Sequence, residues 1–99
     1  MLTINKSNEG EALVIALVGE LDTNTAVDFN KVIDESLSGV TKLIIDIAEL
    51  EYISSSGLRS FMSAYKIMRT QGEMKIRNTT PKIAEIFSVT GFDGFLDFE

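Results

Sequence analysis

Four consecutive residues, Ser54-Ser55-Ser56-Gly57, have the types and the spacing best suited to chemistry. They follow an apolar run typical of a strand and precede an amphipathic run typical of a helix. The start of a helix presents unpaired backbone N–H groups and the positive end of the helix dipole, which together stabilise an anion. Serine is also a favoured N-cap, and most serines at such positions only cap. The run therefore predicts a phosphate site or a simple helix cap.

The residue types that the chain lacks narrow the chemistry. There is no cysteine and no histidine, which removes a thiolate nucleophile, a Cys-type zinc site and a Ser-His-Asp arrangement. A hydrolase at the serine run would need a lysine or carboxylate base, and no spacing identifies one. A serine that accepts phosphate needs no base of its own, because a kinase supplies it. We expect a protein that is not an enzyme and has no catalytic residues, metal or cofactor.

Length and charge limit the organisation and the partners. The 99 residues predict one domain, residues 1–99, with a single core. The net charge of -6 and the scattered Lys and Arg disfavour direct nucleic-acid binding, which needs clustered cations. No signal-peptide pattern and no apolar run of about 18 residues is present. We therefore expect a cytoplasmic protein without membrane insertion, whose partners are proteins.

The hydrophobic pattern predicts the elements that position the serines. Residues 13–18 are a continuous apolar run, and residues 42–47 are apolar except for Lys42 and Asp46. Both patterns are typical of central strands buried on both faces. Apolar steps of three and four predict helices over about residues 23–38 and 56–70, and Pro81 marks the start of a third. The predicted fold is α/β: a mixed sheet of about four to five strands, with central parallel strands and helices packed against it. The tail, residues 92–98, is expected to pack on the core.

This topology brings a second group of polar residues to the serines. In a parallel α/β unit, the loops that leave the carboxyl ends of neighbouring strands meet at one edge of the sheet. Asp22 and Asn24 follow the second strand, and Ser54, Ser55 and Ser56 follow the third. We expect a site that combines a carboxylate, an amide, hydroxyls and a helix N-terminus. Asp22 taken alone is more often just a cap.

Two segments at this spacing resemble the STAS domain family, specifically the stand-alone bacterial anti-sigma factor antagonists. They are Gly19-Glu20-Leu21-Asp22 with Thr25-Ala26 and, after an Ile-rich strand with Asp46, Tyr52-Ile53-Ser54-Ser55-Ser56-Gly57-Leu58-Arg59. The resemblance covers essentially the whole chain. It implies a STAS-type domain that, when unphosphorylated, binds an anti-sigma factor serine kinase of the GHKL ATPase type and so frees the sigma factor. Serine phosphorylation ends the capture, and a PP2C-type phosphatase reverses it.

The resemblance also implies roles for individual residues. The acceptor stands two residues before the motif glycine, which is Ser55 here, with Ser54 and Ser56 as alternatives. Many phosphorylatable members have aspartate directly before the acceptor, where this chain has Ser54. The predicted partner-binding surface combines the loop after the second strand, the serine run and the start of the second helix: Asp22, Thr23, Asn24, Ser54, Ser56, Gly57, Arg59, Ser60 and Ser63.

Two other functions stay open on the sequence. A non-switching STAS interaction module of a sensory or lipid-transport assembly would keep the fold without phosphorylation, and Ser54 in place of the aspartate is compatible with it. A receiver-like domain phosphorylated on Asp46 is disfavoured, because receivers have an acidic pair after the first strand and about five βα units.

Overall fold

The computed structural model describes all 99 residues and is organised around a five-stranded mixed sheet. Its strands, in spatial order, are β1 (Leu2–Glu9), β2 (Ala12–Leu21), β3 (Lys42–Ile53), β4 (Glu73–Arg77) and β5 (Asp97–Phe98). β1 and β2 are antiparallel, and every other neighbouring pair is parallel. The predicted α/β class with central parallel strands is confirmed.

Three helices and a short turn complete the chain. They are α1 (Thr23–Ser36), α2 (Ser55–Met68), α3 (Pro81–Thr90) and a 3-10 turn at Phe92–Gly94. Asp22 caps α1, and Pro81 opens α3, where its missing N–H is not needed. Gly91 closes α3 with a φ of 81°, a left-handed conformation that favours glycine. The first two helices begin and end within about two residues of the predicted positions.

All three helices cover the same face of the sheet. One buried apolar cluster contains Phe29 of α1, Phe61 of α2 and Phe87 of α3, together with Ile15 and Ile45 of the central strands. The Phe61 ring centroid lies 5.7 Å from the centroids of both other rings, in edge-on or tilted arrangements that aromatic pairs prefer. This packing holds α1 beside α2 on the ends of β2 and β3.

The opposite face of the sheet is formed by strands alone. Its buried apolar cluster is Ala12, Val14 and Ile44. The side chain of Arg77, on β4, crosses this face and donates to Glu9 of β1 at 3.0 and 3.1 Å and to Asp46 of β3 at 3.2 Å. We call Glu9, Asp46 and Arg77 the sheet clamp, because they join the first, third and fourth strands. The central strands are thus covered by helices on one face and crossed by an ion-pair network on the other.

Two parts of the fold extend beyond the predicted pattern. β3 continues to Ile53, past the expected end near Ile47, and its register against β2 shifts between Ala16 and Val18. The tail forms a 3-10 turn and then β5, which pairs with β4, and Leu96 is buried in the core as expected of this segment. Both extensions depend on pairing with a neighbouring strand, which the hydrophobic period does not specify.

Candidate functional site

The ends of β2 and β3 bring the two predicted loops together. Leu21 pairs with Ile53 in the parallel register, and the Ser54 amide donates to the Leu21 carbonyl at 2.8 Å. Asp22 and Ser54 are therefore the next residues on two adjacent strands. Each of them is the N-cap of the helix that follows. The two loops meet where the topology predicts.

Ser54 is a buried cap rather than an exposed hydroxyl. Its Oγ accepts a hydrogen bond from the Gly57 amide at 3.1 Å, and the residue is only 7% exposed. Gly57 is also buried, and a Cβ at this position would lie 2.7 Å from Cγ of Leu21. The glycine therefore allows α2 to begin directly against the end of β2. Ser54 and Gly57 both belong to the predicted contact surface. Because they are buried, their role is to position the turn.

The next two serines have different surroundings. Ser55 is the first residue of α2, is exposed, and its hydroxyl has no hydrogen-bond partner in the chain. Ser56 is half-buried, and its Oγ accepts from Nη2 of Arg59 at 3.1 Å. The Ser56 carbonyl accepts from the hydroxyl of Ser60, which is 1% exposed. Of the three hydroxyls in the run, that of Ser55 is the most accessible to a reagent.

Asp22 forms a capping box with Thr25. The Asp22 Oδ1 accepts from the Thr25 amide at 2.8 Å, and the Asp22 amide donates to Thr25 Oγ1 at 2.9 Å. The carboxylate accepts from the Thr25 amide and also from the Thr25 hydroxyl at 3.0 Å. These two hydrogen bonds, that of the amide first, hold the pKa of Asp22 below its ordinary value, because they favour the carboxylate. Asp22 is therefore both the cap of α1 and a constant negative charge at this edge of the sheet.

A groove of about 270 Å³ lies between the first turns of α1 and α2. We call it the α1–α2 groove. It is lined by Thr23, Ala26, Val27, Asn30, Ser56, Arg59, Ser60 and Ser63. Five of these were predicted to contact a partner, whereas the buried Ala26 and the exposed Val27 and Asn30 were not. Val27 is 65% exposed. The one signal in the sequence that could have identified it is its position, since it is an apolar residue outside the buried face of α1. Arg59 is the only charged residue that lines the groove.

The largest surface depression lies elsewhere. It has a volume of about 570 Å³, is located between β3 and the start of α3, and brings together Glu49, Glu51 and Lys82. None of the predicted site residues lines it. It contains none of the serines and is not lined by Asp22, so the exposed serine and the α1–α2 groove are the better candidate.

Asp46, the acceptor in the receiver-like alternative, belongs to the sheet clamp. Burial alone would raise its pKa, but hydrogen bonds from the Ala48 amide, Asn78 and Arg77 outweigh burial and hold the pKa of Asp46 below its ordinary value. The carboxylate lies on the face opposite the helices. Its partners are an arginine and amides, and they give it a structural role.

Comparison with known proteins places this chain in a family. The family model for the STAS domain matches residues 3–99. The chain belongs to the STAS domain family. Over 93 residues it is 25% identical to the anti-sigma-B factor antagonist of Bacillus subtilis, covering 93% of this chain and 84% of that protein. It is also 36% identical over 55 residues to BtrV of Bordetella bronchiseptica, which covers 54% of this chain and 47% of BtrV. The aligned segment thus spans about half of the length of BtrV.

Solved structures show the same STAS fold. An anti-sigma factor antagonist from Mycobacterium paratuberculosis superimposes with a TM-score of 0.91 at 20% identity, over 99% of this chain and 85% of that one. SpoIIAA in its unphosphorylated form gives a TM-score of 0.75 at 20% identity, over 100% of this chain and 87% of the other. At these identities the likeness establishes the fold. None of the helices combines the length and the apolar character that crossing a membrane requires.

Proposed function

We propose that this STAS domain is an anti-sigma factor antagonist that, when unphosphorylated, binds an anti-sigma factor serine kinase of the GHKL ATPase type and thereby releases the sigma factor. Relatives that carry the name of antagonist and align over most of the chain support it. The observation that carries the proposal is the exposed, unbonded hydroxyl of Ser55 on the first turn of α2. Such a protein would act in the cytoplasm, where sigma factors act.

Ser55 is the proposed phosphate acceptor. In the transfer, its Oγ forms a bond to the γ-phosphorus of the kinase's ATP, the bond to ADP breaks, and the hydroxyl proton passes to the kinase's base. Ser54 is committed to the Gly57 amide, and Ser56 is half-buried beneath Arg59. Serine and aspartate are both good N-caps. Ser54 therefore fills the structural role of the aspartate that many relatives have before the acceptor.

The fold can accept a phosphate at this position. The positive end of α2 stabilises an anion by roughly 0.3–1 kcal/mol, and Ser55 is already solvent-exposed. The phosphorylated form of Bacillus SpoIIAA has the same fold as this chain, with a TM-score of 0.74, 20% identity and coverage of 100% of this chain and 91% of that one. Modification of Ser55 is thus expected to leave the domain folded.

Binding is expected to respond much more strongly than folding. A phosphoserine adds about -1.5 to -2 charge at the edge that also carries the Asp22 carboxylate. A partner that closes over a neutral hydroxyl would have to bury this charge, at a cost of several kcal/mol. Phosphorylation therefore ends the capture of the kinase. Hydrolysis of the phosphate ester by a PP2C-type phosphatase restores it.

The proposed contact surface consists of Ser55, the members of the predicted set that are not buried, and the groove beside them. The loop contributes Asp22, Thr23 and Asn24, and α2 contributes Ser55, Ser56, Arg59 and Ser63. Val27 and Asn30 extend the surface along α1. Ser54, Gly57 and Ser60 support this surface from beneath, because they are buried.

Phosphorylation by the GHKL-type kinase encoded nearest to the gene tests the proposal. After incubation with ATP, mass spectrometry should find one phosphate, on Ser55, and none in a Ser55→Ala variant. Ser88→Ala, at an exposed serine of α3, is the matched control and should be modified like the parent protein. Phosphate on Ser54 or Ser56 alone would reject the residue assignment. An unmodified protein would contradict the switch and favour the non-switching module.

A further inference from the structure

Arg59 has no carboxylate partner in a chain that is rich in carboxylates. The sequence has 15 Asp and Glu against 9 Lys and Arg, and Arg77 makes ion pairs with both Glu9 and Asp46. The only side-chain hydrogen bond of Arg59 goes to the Ser56 hydroxyl at 3.1 Å. A guanidinium has five N–H donors, so most of the hydrogen-bonding capacity of Arg59 is unused.

The position of Arg59 on α2 directs this unused capacity toward Ser55. Helical side chains lean toward the N-terminus, and residues three or four apart lie on one face. Arg59 is three residues from Ser56 and four from Ser55, and its bond to Ser56 shows that the guanidinium reaches back over the first turn. A phosphate on the exposed Ser55 would present three acceptor oxygens to that turn.

A phosphate is a stronger partner for arginine than a serine hydroxyl. Hydrogen bonds between a guanidinium and a phosphate are charge-assisted, and they are often bidentate because the planar fork matches two phosphate oxygens. The hydroxyl of Ser56 offers one neutral acceptor. The guanidinium is therefore expected to exchange its present partner for the phosphate.

We propose that Arg59 is the internal counter-ion of a phosphate on Ser55 and moves its guanidinium from Ser56 to that phosphate when the serine is modified. This inference rests on the proposed function, because it assigns a positioning residue to the same switch. Arg59 is also the only charged residue that lines the α1–α2 groove. Phosphorylation thus changes the contact surface twice, by adding an anion to it and by withdrawing its cation from a partner's carboxylate.

The ionisation of the phosphate itself tests this role. Phosphoserine is installed at position 55 during translation, so that no kinase is needed, and the second pKa of the phosphate is followed by ³¹P NMR. That pKa is ordinarily about 6, and a bound guanidinium lowers it by favouring the dianion. We expect Arg59→Gln to raise it by about 0.5 relative to the phosphorylated parent protein. Arg59→Lys should restore part of the difference, because it keeps the charge but not the fork.

Arg69→Gln is the matched control, because Arg69 is an exposed arginine at the far end of α2, stacked 5.9 Å from the ring centroid of Tyr65. It should leave the phosphate pKa unchanged. Equal pKa values in the parent protein and Arg59→Gln would overturn the counter-ion role, and so would an equal shift in Arg69→Gln. This result is separable from the proposed function: a kinase that fails to modify Ser55 overturns the switch, whereas normal modification with a pKa independent of Arg59 overturns only this inference.

Discussion

Arg77 and Arg59 place the same functional group in opposite surroundings. Arg77 lies across the open face of the sheet, with its side chain 25% exposed, and donates to two carboxylates. Arg59 lies one turn into α2, is exposed, and donates to one neutral hydroxyl. Arg77 has carboxylate partners within the chain, whereas most N–H donors of Arg59 have no partner.

The difference separates a cation that serves folding from one that serves binding. The ion pairs of the sheet clamp connect residues up to 68 positions apart, so they exist only in the folded chain and stabilise it. The single bond of Arg59 spans three residues of one helix and contributes little to the tertiary structure. Unused hydrogen-bonding capacity, more than charge, marks the residue that is available to a partner or a phosphate.

Gly57→Ala should have the largest effect at the switch end of the molecule. The added Cβ would lie 2.7 Å from Cγ of Leu21 and 3.1 Å from its carbonyl oxygen, so either the buried Leu21 side chain or α2 must shift. We expect a loss of roughly 1–3 kcal/mol in the free energy of unfolding, measured in urea. Gly94→Ala is the control, since a Cβ there meets no atom within 4 Å, and its effect should stay below about 0.5 kcal/mol. Similar losses in both variants would show that the close approach of α2 to β2 is not a constraint.

Two substitutions separate the capping role of Asp22 from the role of its charge. Asp22→Ala removes the capping box and should lower the free energy of unfolding by about 1 kcal/mol. Asp22→Asn keeps a good cap and should cost less than half of that, while kinase affinity falls about fivefold in both variants. Calorimetric binding and urea unfolding give the two quantities. If Asp22→Asn binds the kinase as tightly as the parent protein does, Asp22 acts only as a helix cap.

Replacing each of the two arginines in turn with glutamine tests whether one serves folding and the other serves binding. Arg77→Gln should lower the free energy of unfolding by about 1 kcal/mol, because it leaves Asp46 without a cation, and should bind the kinase normally. Arg59→Gln should change stability by less than about 0.5 kcal/mol and weaken kinase binding roughly tenfold. Each variant is expected to fail in one assay only. Loss of stability in Arg59→Gln, or of binding in Arg77→Gln, would reject the division of roles.

The sheet clamp should also produce a small acid sensitivity. The hydrogen bonds and charge of Arg77 hold the pKa of Glu9 below its ordinary value, and the pKa of Asp46 is also lowered. A carboxyl with a lowered pKa in the folded state stabilises the protein above its unfolded pKa of about 4, and this contribution is lost as the pH falls through the folded pKa. The difference in the free energy of unfolding between the parent protein and Arg77→Gln should therefore shrink as the pH falls from about 5 to about 3, the range in which carboxylates become protonated. Urea titrations at each pH measure this difference. A difference that does not change with pH would show that the sheet clamp does not cause the acid sensitivity.

Much of the fold follows from hydrophobic period alone. The two apolar runs predict β2 and the first half of β3, and the spacing of Phe29 and Phe61 with their neighbours predicts α1 and α2. The second half of β3 was not predicted, because its pairing with β2 passes through a register shift. β5 was not predicted either, since two residues carry no period and become a strand only beside β4.

The candidate site was predictable in its location and less so in its details. Parallel strand ends predict that Asp22 and the serines meet, but three consecutive serines have the same propensities. Their roles differ because the phase of α2 turns Ser54 inward and Ser55 outward, a consequence of the contact between Gly57 and Leu21. The pairing of Glu9 with Arg77 depends on the order of all the strands between them, which no local pattern contains.

The affinity of the kinase for the two forms of the protein tests the central claim most directly. Isothermal titration calorimetry compares the unmodified chain with the chain fully phosphorylated on Ser55, with Ser55→Ala as the uncharged reference. We predict parent-like binding by Ser55→Ala and at least about 100-fold weaker binding by the phosphorylated chain, because the interface would bury a phosphate charge that one arginine neutralises only in part. Equal affinities for the phosphorylated and unmodified forms would contradict control of kinase capture by the charge on Ser55.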